Sequence, residues 1–444
     1  MMQKQLRDGL ILRSISEGHA SDRERLPTFF GEVFHEAYDE EPANLSIWTE
    51  SLLAGDHPAT TDEDIWLVVD PAKDDMIVSA LLLIPQTWRY ESVQLGVGRV
   101  EIVATHKDYR RRGLVRELML VAHERSAALG HTIEAITGIP HYYRRFGYTM
   151  AVDLGSFAAV PLATIPKLAE GKSAKYSLRP ATEADIPNII AWEEYAGGQA
   201  LLSTVRGERE WRYEFARAEN HTWWLDMLII TRDDGRDVGY VATRRKFDDW
   251  LPCVAYVVGE EASYMDTYED VLRGLKARLQ SRYPEDTPPV IYFAAGMHEA
   301  ISILTRSAYP AAVRSEHYAW YLRAASPARL IREITPVLEK RLANSGANRY
   351  SGELKISFFD GTGLCIQFED GYIINTLDIQ VSTPQEEEKA DAAFPWHSFL
   401  ALVFGYRTFE EVAHVLPESH ANGRARVLLG TLFPRKRSWL MPLA

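Results

Sequence analysis

Residues 100–116 carry the densest chemistry in the chain. An apolar, β-branched run, Val100 to Val103, leads into a polar stretch at His106 to Tyr109. Arg110-Arg111-Arg112-Gly113 follows, and Leu114, Leu118, Val121, Ala122 and Arg125 then recur at helical spacing. A strand, a basic loop and a helix start therefore come in succession. The first amides of a helix lack intrahelical acceptors, so they make a ready cradle for phosphate oxygens. Gly113 lets the backbone approach a ligand closely, and the arginines add positive charge. This chemistry suits a pyrophosphate-bearing cofactor. An Arg-x-x-Gly by itself is common on solvated helix starts, and it gains meaning here from the strand before it and the helix after it. Neither Gly-x-x-x-x-Gly-Lys-Ser/Thr nor a strand-following Gly-x-Gly-x-x-Gly occurs.

The elements that must hold this loop read as mixed α and β. Residues 10–14 form a short strand. Residues 21–37 have helical periodicity with Pro27 interrupting the start, Asp39-Glu40-Glu41-Pro42 ends that piece, and residues 45–53 form a second helix. Residues 65–70 and 76–85 pair as a hairpin through residues 71–75, and residues 89–95 and 98–105 continue the sheet. The helix from Leu114 ends at Gly130, as a C-cap glycine would end it. A strand at 132–137, a helical turn at 141–146 and a strand around 153–160 complete the segment.

The length of 444 residues implies roughly two to four domains. With 46% apolar and 25% charged residues, the composition is that of an ordinary globular protein. No apolar run reaches the roughly 20 residues of a membrane span, and residues 1–13 lack a signal-peptide core. The expected location is cytoplasmic, with no membrane partner. Cys253 and Cys365 stand far apart in strand-like surroundings, which excludes a disulfide framework, and no cluster has metal-ligand spacing. A net charge of −13 argues against a nucleic-acid partner. It suits a small cationic substrate, although solubility alone also explains it.

Order and motif together resemble the GNAT acetyltransferase superfamily, whose motif Gln/Arg-x-x-Gly-x-Gly/Ala is matched by Arg110-Arg111-Arg112-Gly113-Leu114-Val115. Val115 departs from the small residue at the last position, leaving less room beside a diphosphate. Tyr143-Arg144-Arg145-Phe146-Gly147-Tyr148, about thirty residues later, narrows the resemblance to the Eis (enhanced intracellular survival) family of N-acetyltransferases. That family implies an α+β chain of tandem GNAT folds, each a mixed, mostly antiparallel sheet with helices, followed by a sterol-carrier-protein-like α/β domain. The expected divisions are 1–165 for the acetyl-coenzyme A domain, 176–325 for a second GNAT-like domain without cofactor, and 326–444 for the last.

The rest of the chain is compatible with that layout. After a connector at 161–175, Tyr176 to Ile186 reads as a strand entering a helix, with Thr182 as N-cap. Strands at 238–246, 254–259 and 290–295 alternate with helices at 268–283 and 297–307, and no Arg-x-x-Gly-x-Gly/Ala lies among them. A striped helix at 328–342 opens the last segment. Strands at 352–359, 364–369 and 372–377 are joined by Asp360-Gly361 and Asp370-Gly371 turns. Helices at 395–404, 408–413 and 425–432 follow. Glu386-Glu387-Glu388 reads as a solvated loop, and residues 439–444 as an apolar tail able to tuck inward.

The resemblance also assigns roles. Val103, Ala104 and Thr105 supply backbone groups to the pantetheine arm. Arg111, Arg112, Gly113, Leu114, Val115 and Arg116 cradle the diphosphate, and Gly138 and Ile139 add a further coenzyme contact. Tyr143 matches the tyrosine that protonates the departing sulfur, since a phenol with an ordinary pKa near 10 stays protonated at neutral pH. Tyr142 and Tyr148 compete for that role. The family's base is the C-terminal carboxylate, here that of Ala444, with a water chain or an acidic side chain as the rival. The terminal residue departs from the aromatic end the family implies. His106 and His141 flank the site as further bases or as plain surface residues. Glu36, Asp39 and Glu40 either attract a cationic amine or simply finish a solvated helix.

Two functions follow. One is acetyl-coenzyme A-dependent transfer, without a metal, to a primary amine of an aminoglycoside, a polyamine or a lysine side chain, by a protein that the resemblance makes a homohexamer. The other is non-catalytic binding of acyl-coenzyme A or lipid.

Overall fold

Long apolar runs rich in Val, Ile and Leu make strands buried on both faces, and two of them form the spine of the structure. A computed structural model of the chain describes residues 3–38, 41–154, 158–247, 249–293, 298–308 and 318–444. Asp39 and Glu40, and part of the expected strand at 153–160, lie outside the described residues. The elements around the basic loop are β1 (Lys4–Gln5), β2 (Ile11–Ser14), α1 (Ala20–Tyr38), α2 (Pro42–Leu53), β3 (Ile65–Asp70), β4 (Met76–Tyr90), β5 (Val93–Thr105), α3 (Leu114–Ala128), β6 (Ile133–Ile136) and β7 (Thr149–Asp153). Pro27 sits inside α1 without ending it. The expected strand at 89–95 is corrected, because β4 and β5 form one long hairpin whose turn falls at Glu91, held at φ +50°.

Contacts gather the chain into two compact units rather than three consecutive blocks: Met1–Val152 with Ala319–Ser438, and Asp153–Tyr318 with Trp439–Ala444. In the first unit the strands lie in the order β1, β2, β3, β4, β5, β6, Ala319–Arg323, β7. Neighbours from β1 to β5 are antiparallel, whereas β5 and β6 run parallel. The strand Ala319–Arg323, expected in the second domain, pairs with β6 through Tyr321 opposite Ile136.

The segment from residue 326 joins this unit because it holds the tip of the β4–β5 hairpin. Arg341 donates to the Tyr90 hydroxyl at 3.2 Å and to Glu91 at 2.8 Å, and Lys436 reaches Glu91 at 2.9 Å. The Tyr90 hydroxyl in turn donates to the Val403 carbonyl at 2.8 Å. Leu330, Ile331, Ile334, Val337, Leu338 and Leu342 of helix Pro327–Ala343 form the expected buried stripe. That segment carries its own five-stranded sheet, Gly352–Ser357, Thr362–Glu369, Tyr372–Gln380, Ala392–Ala393 and His420–Ala421, and helices Trp396–Val403, Phe409–Val415 and Gly423–Leu432. Glu386 to Glu388 belong to a short helix, Pro384–Glu388, capped by Thr383, which corrects the expected loop.

The second unit has a six-stranded sheet in the order Ala158–Pro161, Val290–Phe293, Trp250–Val258, Asp237–Thr243, Asp226–Arg232, Tyr176–Pro180. Its single parallel pair, Trp250–Val258 with Val290–Phe293, occupies the place that β5 and β6 hold in the first sheet. Beyond that pair the first sheet continues with Ala319–Arg323, far along the chain, and the second with Ala158–Pro161, which precedes its other strands. Ala158–Pro161, expected to finish the first domain, pairs instead with Val290–Phe293. The chain's last residues do tuck inward. Trp439, 7% exposed, joins a core with Trp211 and Tyr240, and its backbone N–H donates to the Leu202 carbonyl at 2.7 Å.

Candidate active site

Strand β5 sets up the site by leaving the regular ladder. Ala80 faces Ala104 and Leu82 faces Glu101, so Ile102 and Val103 together oppose Leu81. This is a β-bulge, and Ile102 adopts φ +47°, a left-handed conformation that a β-branched side chain adopts only at a cost. Strain of this kind costs on the order of 1–3 kcal/mol and collects at ligand sites. The parallel pairing of β5 with β6 covers only Val97 to Arg99 opposite Ile133 to Ala135. Past that point the two strands part, and two cavities open beside them.

The larger cavity, about 1050 Å³, is lined by Val103, Ala104, Thr105, Arg111, Arg112, Gly113, Leu114, Val115, Arg116, Ile139 and Tyr143, among others. All nine residues expected between 103 and 116 therefore meet in one cleft. Gly113 precedes α3 at φ +81° with no side chain to cap the helix. Among the described residues, the backbone amides of Arg111, Arg112, Gly113, Leu114 and Val115 have no acceptor. Arg111 and Arg116 are exposed and make no ion pair among those residues. Arg112 stacks over Tyr109 at 4.6 Å, and Arg110 donates to the Thr105 carbonyl at 3.3 Å. Five open amides and two uncommitted guanidinium groups fit a diphosphate.

The smaller cavity, about 420 Å³, lies against Glu101, Ile102 and Val103 on one strand and Ile136 to Pro140 after the other, with Phe34, Tyr38, Leu45 and Trp48 from α1 and α2. Gly138 lines this cavity alone, while Ile139 and Tyr143 line both. A Cβ on Gly138 would stand 2.3 Å from the Tyr143 ring, so only glycine lets the ring lie there. Tyr143 is buried and packs edge-on to Tyr142 at 5.1 Å.

The rival tyrosines separate from it. Tyr148 is held in the core, where burial raises its hydroxyl well above the phenol value, and it pairs with His123 at 3.0 Å. Tyr142 lines the larger cleft but lies under Arg145 at 4.9 Å. His106 and His141 line neither cavity. The first accepts from the Asp108 amide at 3.3 Å, and the backbone N–H of the second donates to the Tyr321 hydroxyl at 2.9 Å. Glu36 is not free to draw a cation, since Lys107 pairs with it at 2.7 Å and lowers its pKa. Ala444 is buried in the second unit, where one of its oxygens accepts from Arg217, which also pairs with Glu214 at 2.7 Å.

Sequence reasoning missed Glu101. Its carboxylate is buried against the smaller cavity and paired with Arg99 at 2.5 Å, and Arg99 in turn lies over Trp320 at 5.5 Å. Burial raises the Glu101 pKa even beside this cation. The signal was present. Charged residues two apart in a strand share a face, and an Arg–Glu pair on an otherwise apolar strand marks a polar point in the interior.

Residues 15–151 match the family model described as acetyltransferase (GNAT) domain. No curated protein matches the chain. Among solved structures, a GCN5-related N-acetyltransferase from Anabaena variabilis aligns with a TM-score of 0.66 at 13% identity, covering 97% of this chain and 99% of that one. A protein of unknown function from Enterococcus faecalis, described as a probable N-acyltransferase, gives 0.66 at 13% over 98% and 100%. Eis1 from Mycobacterium abscessus gives 0.61 at 13% over 97% and 99%. At such identities the likeness shows a shared fold, and it runs the length of the chain. The GNAT match begins just after β2 and runs into β7, so both cavities lie chiefly within it.

Among the described residues, no group of three His, Cys, Asp or Glu is placed to hold a metal, and no helix is long and apolar enough to cross a membrane.

Proposed function

We propose that this chain is an N-acetyltransferase that moves the acetyl group of acetyl-coenzyme A directly onto a primary amine. The observation that carries the reading is the single cleft in which a bulged strand, five open amides, two free guanidinium groups and the buried Tyr143 converge. The amides of residues 111–115, with Arg111 and Arg116, hold the diphosphate, and Val103, Ala104 and Thr105, which line the same cleft, receive the pantetheine arm. The amine nitrogen attacks the thioester carbonyl, the carbon–sulfur bond breaks, and Tyr143 gives its proton to the sulfur. The proton lost by nitrogen passes to a carboxylate. By family resemblance that is the α-carboxylate of Ala444, and Glu101, buried at the smaller cavity, is the rival acidic side chain.

The same reading takes the second unit as a GNAT-like fold without coenzyme and residues 326–444 as the sterol-carrier-like segment. The six strands of the second sheet follow the order that β2 to β6 and Ala319–Arg323 take within the larger first sheet, which supports it. So does the loop before helix Tyr264–Arg282, where Glu260 and Glu261 stand in place of arginines and the Ser263 side chain itself caps the Met265 amide at 3.0 Å. A cytoplasmic homohexamer acting on aminoglycosides, polyamines or lysine side chains completes the proposal, and native mass measurement tests the assembly.

Thiol release from acetyl-coenzyme A, followed with a panel of amines, tests the transfer. Turnover with any amine supports it. Tight coenzyme binding without thiol release from any of them overturns it in favour of a binding protein.

A further inference from the structure

The smaller cavity has walls unlike those a polycation needs. Phe34, Trp48, Ile102, Ile136 and Tyr143 give it an aromatic and aliphatic surface. Among the described residues that line it, Glu101 alone carries a carboxylate, and Arg99 already shares that charge at 2.5 Å. The two carboxylate oxygens hold more acceptor sites than Arg99 fills, so Glu101 can still receive one ammonium group. A second or third positive charge brought into the same walls would lose its water and gain no partner. An apolar ring or chain attached to the first amine would instead bury surface against those walls.

From this we infer that the acceptor is a primary amine carried on a single apolar body, such as an arylalkylamine, with its nitrogen directed to Glu101 and its ring among Phe34, Trp48 and Ile136. The inference rests on the transfer activity proposed above and replaces the polyamine and aminoglycoside acceptors named there with a monoamine. The other occupant such a cavity could take is an acyl chain longer than acetyl. Glu101 decides against it, because a hydrocarbon tail would seal the carboxylate's remaining acceptor sites away from any donor, whereas an ammonium group fills them.

The test uses the full chain and measures thiol release from acetyl-coenzyme A and from octanoyl-coenzyme A, each with phenethylamine, tryptamine, spermidine and kanamycin. The expected result is a kcat/KM with acetyl-coenzyme A at least tenfold higher for the two arylalkylamines than for spermidine or kanamycin. Replacing Trp48→Ala is expected to raise the KM for tryptamine about tenfold while leaving the KM for acetyl-coenzyme A unchanged, and titration with coenzyme A verifies that the variant is folded. Equal or better turnover of spermidine or kanamycin overturns the inference and leaves the transferase reading standing. A preference for octanoyl-coenzyme A also overturns it, assigning the cavity to the acyl chain. Failure of all four amines with both thioesters, despite coenzyme binding, overturns both readings together.

Discussion

At the scale of single residues the site depends on one close approach. Gly138 lies flat against Tyr143, so Gly138→Ala must push the ring aside before any chemistry is altered. We expect this variant and Tyr143→Phe to lower kcat by about 10²-fold, the usual contribution of one acid–base group, with coenzyme affinity retained on calorimetric titration. Full activity in Tyr143→Phe would remove the phenol from the mechanism. Arg110 to Gly113 and Tyr143 were legible because each belongs to a short, ordered pattern of residue types. Glu101 and Ile102 were not. A bulge leaves no mark in composition, and the left-handed Ile102 is imposed by the ladder on either side rather than by its own preference. Glu101→Gln keeps the shape and removes the charge. It is expected to cut kcat/KM for the amine tenfold or more without changing the KM for acetyl-coenzyme A, and equal loss in both parameters would point to damaged packing instead.

At the scale of elements, the basic loop and the start of α3 act together. Removing both free guanidinium groups, as Arg111→Ala with Arg116→Ala, should weaken coenzyme binding about tenfold or more and flatten its dependence on salt. An unchanged affinity at low ionic strength would show that the amides alone hold the diphosphate. The same helix and the turn after it carry a pH dependence. Burial lowers the His123 pKa to about 3 and that of His131 to about 4, so both are neutral in the folded chain. In the unfolded chain they titrate near the ordinary value of about 6.5. Their contribution to stability is therefore fully present above that value and is lost as the pH falls toward 4 and 3. Thermal unfolding should shift to lower temperature between pH 7 and pH 5, and His123→Gln should reduce that shift. A midpoint constant over the interval would contradict it. Element by element, the amphipathic helices and the Asp-Gly hairpins were legible because periodicity and turn chemistry are local. The β4–β5 turn was misplaced because Glu91-Ser92 lacks a glycine, and the hydrogen bonds that hold it come from Arg341, about 250 positions later.

At the scale of the whole molecule, the last six residues belong to the compact unit of Asp153–Tyr318, and Trp439 and Met441 pack into its core. Trp439 packs with Trp211 and Tyr240, so Trp439→Ala should cost about 3–5 kcal/mol, read as a fall in the denaturant midpoint. Deleting Leu443 and Ala444 would also take from buried Arg217 the terminal oxygen it donates to, leaving it Glu214 and the Tyr213 ring. Lost turnover in such a truncation therefore signals catalysis only if the unfolding curve is unmoved. The three-part division in the sequence was drawn from motifs taken in order. It missed the traded strands because a strand's own residues say that it is buried and nothing about which sheet receives it.

That trade has a consequence for synthesis. When a ribosome has released β7, the strand that belongs between β6 and β7 is still about 170 codons away. At ordinary elongation rates this leaves the gap open for on the order of 10–30 s. During that time the exposed edges of β6 and β7 can pair with each other or with a neighbouring nascent chain. Residues 1–153 cannot be exchanged alone by recombination, because their sheet requires a strand encoded at 319–323.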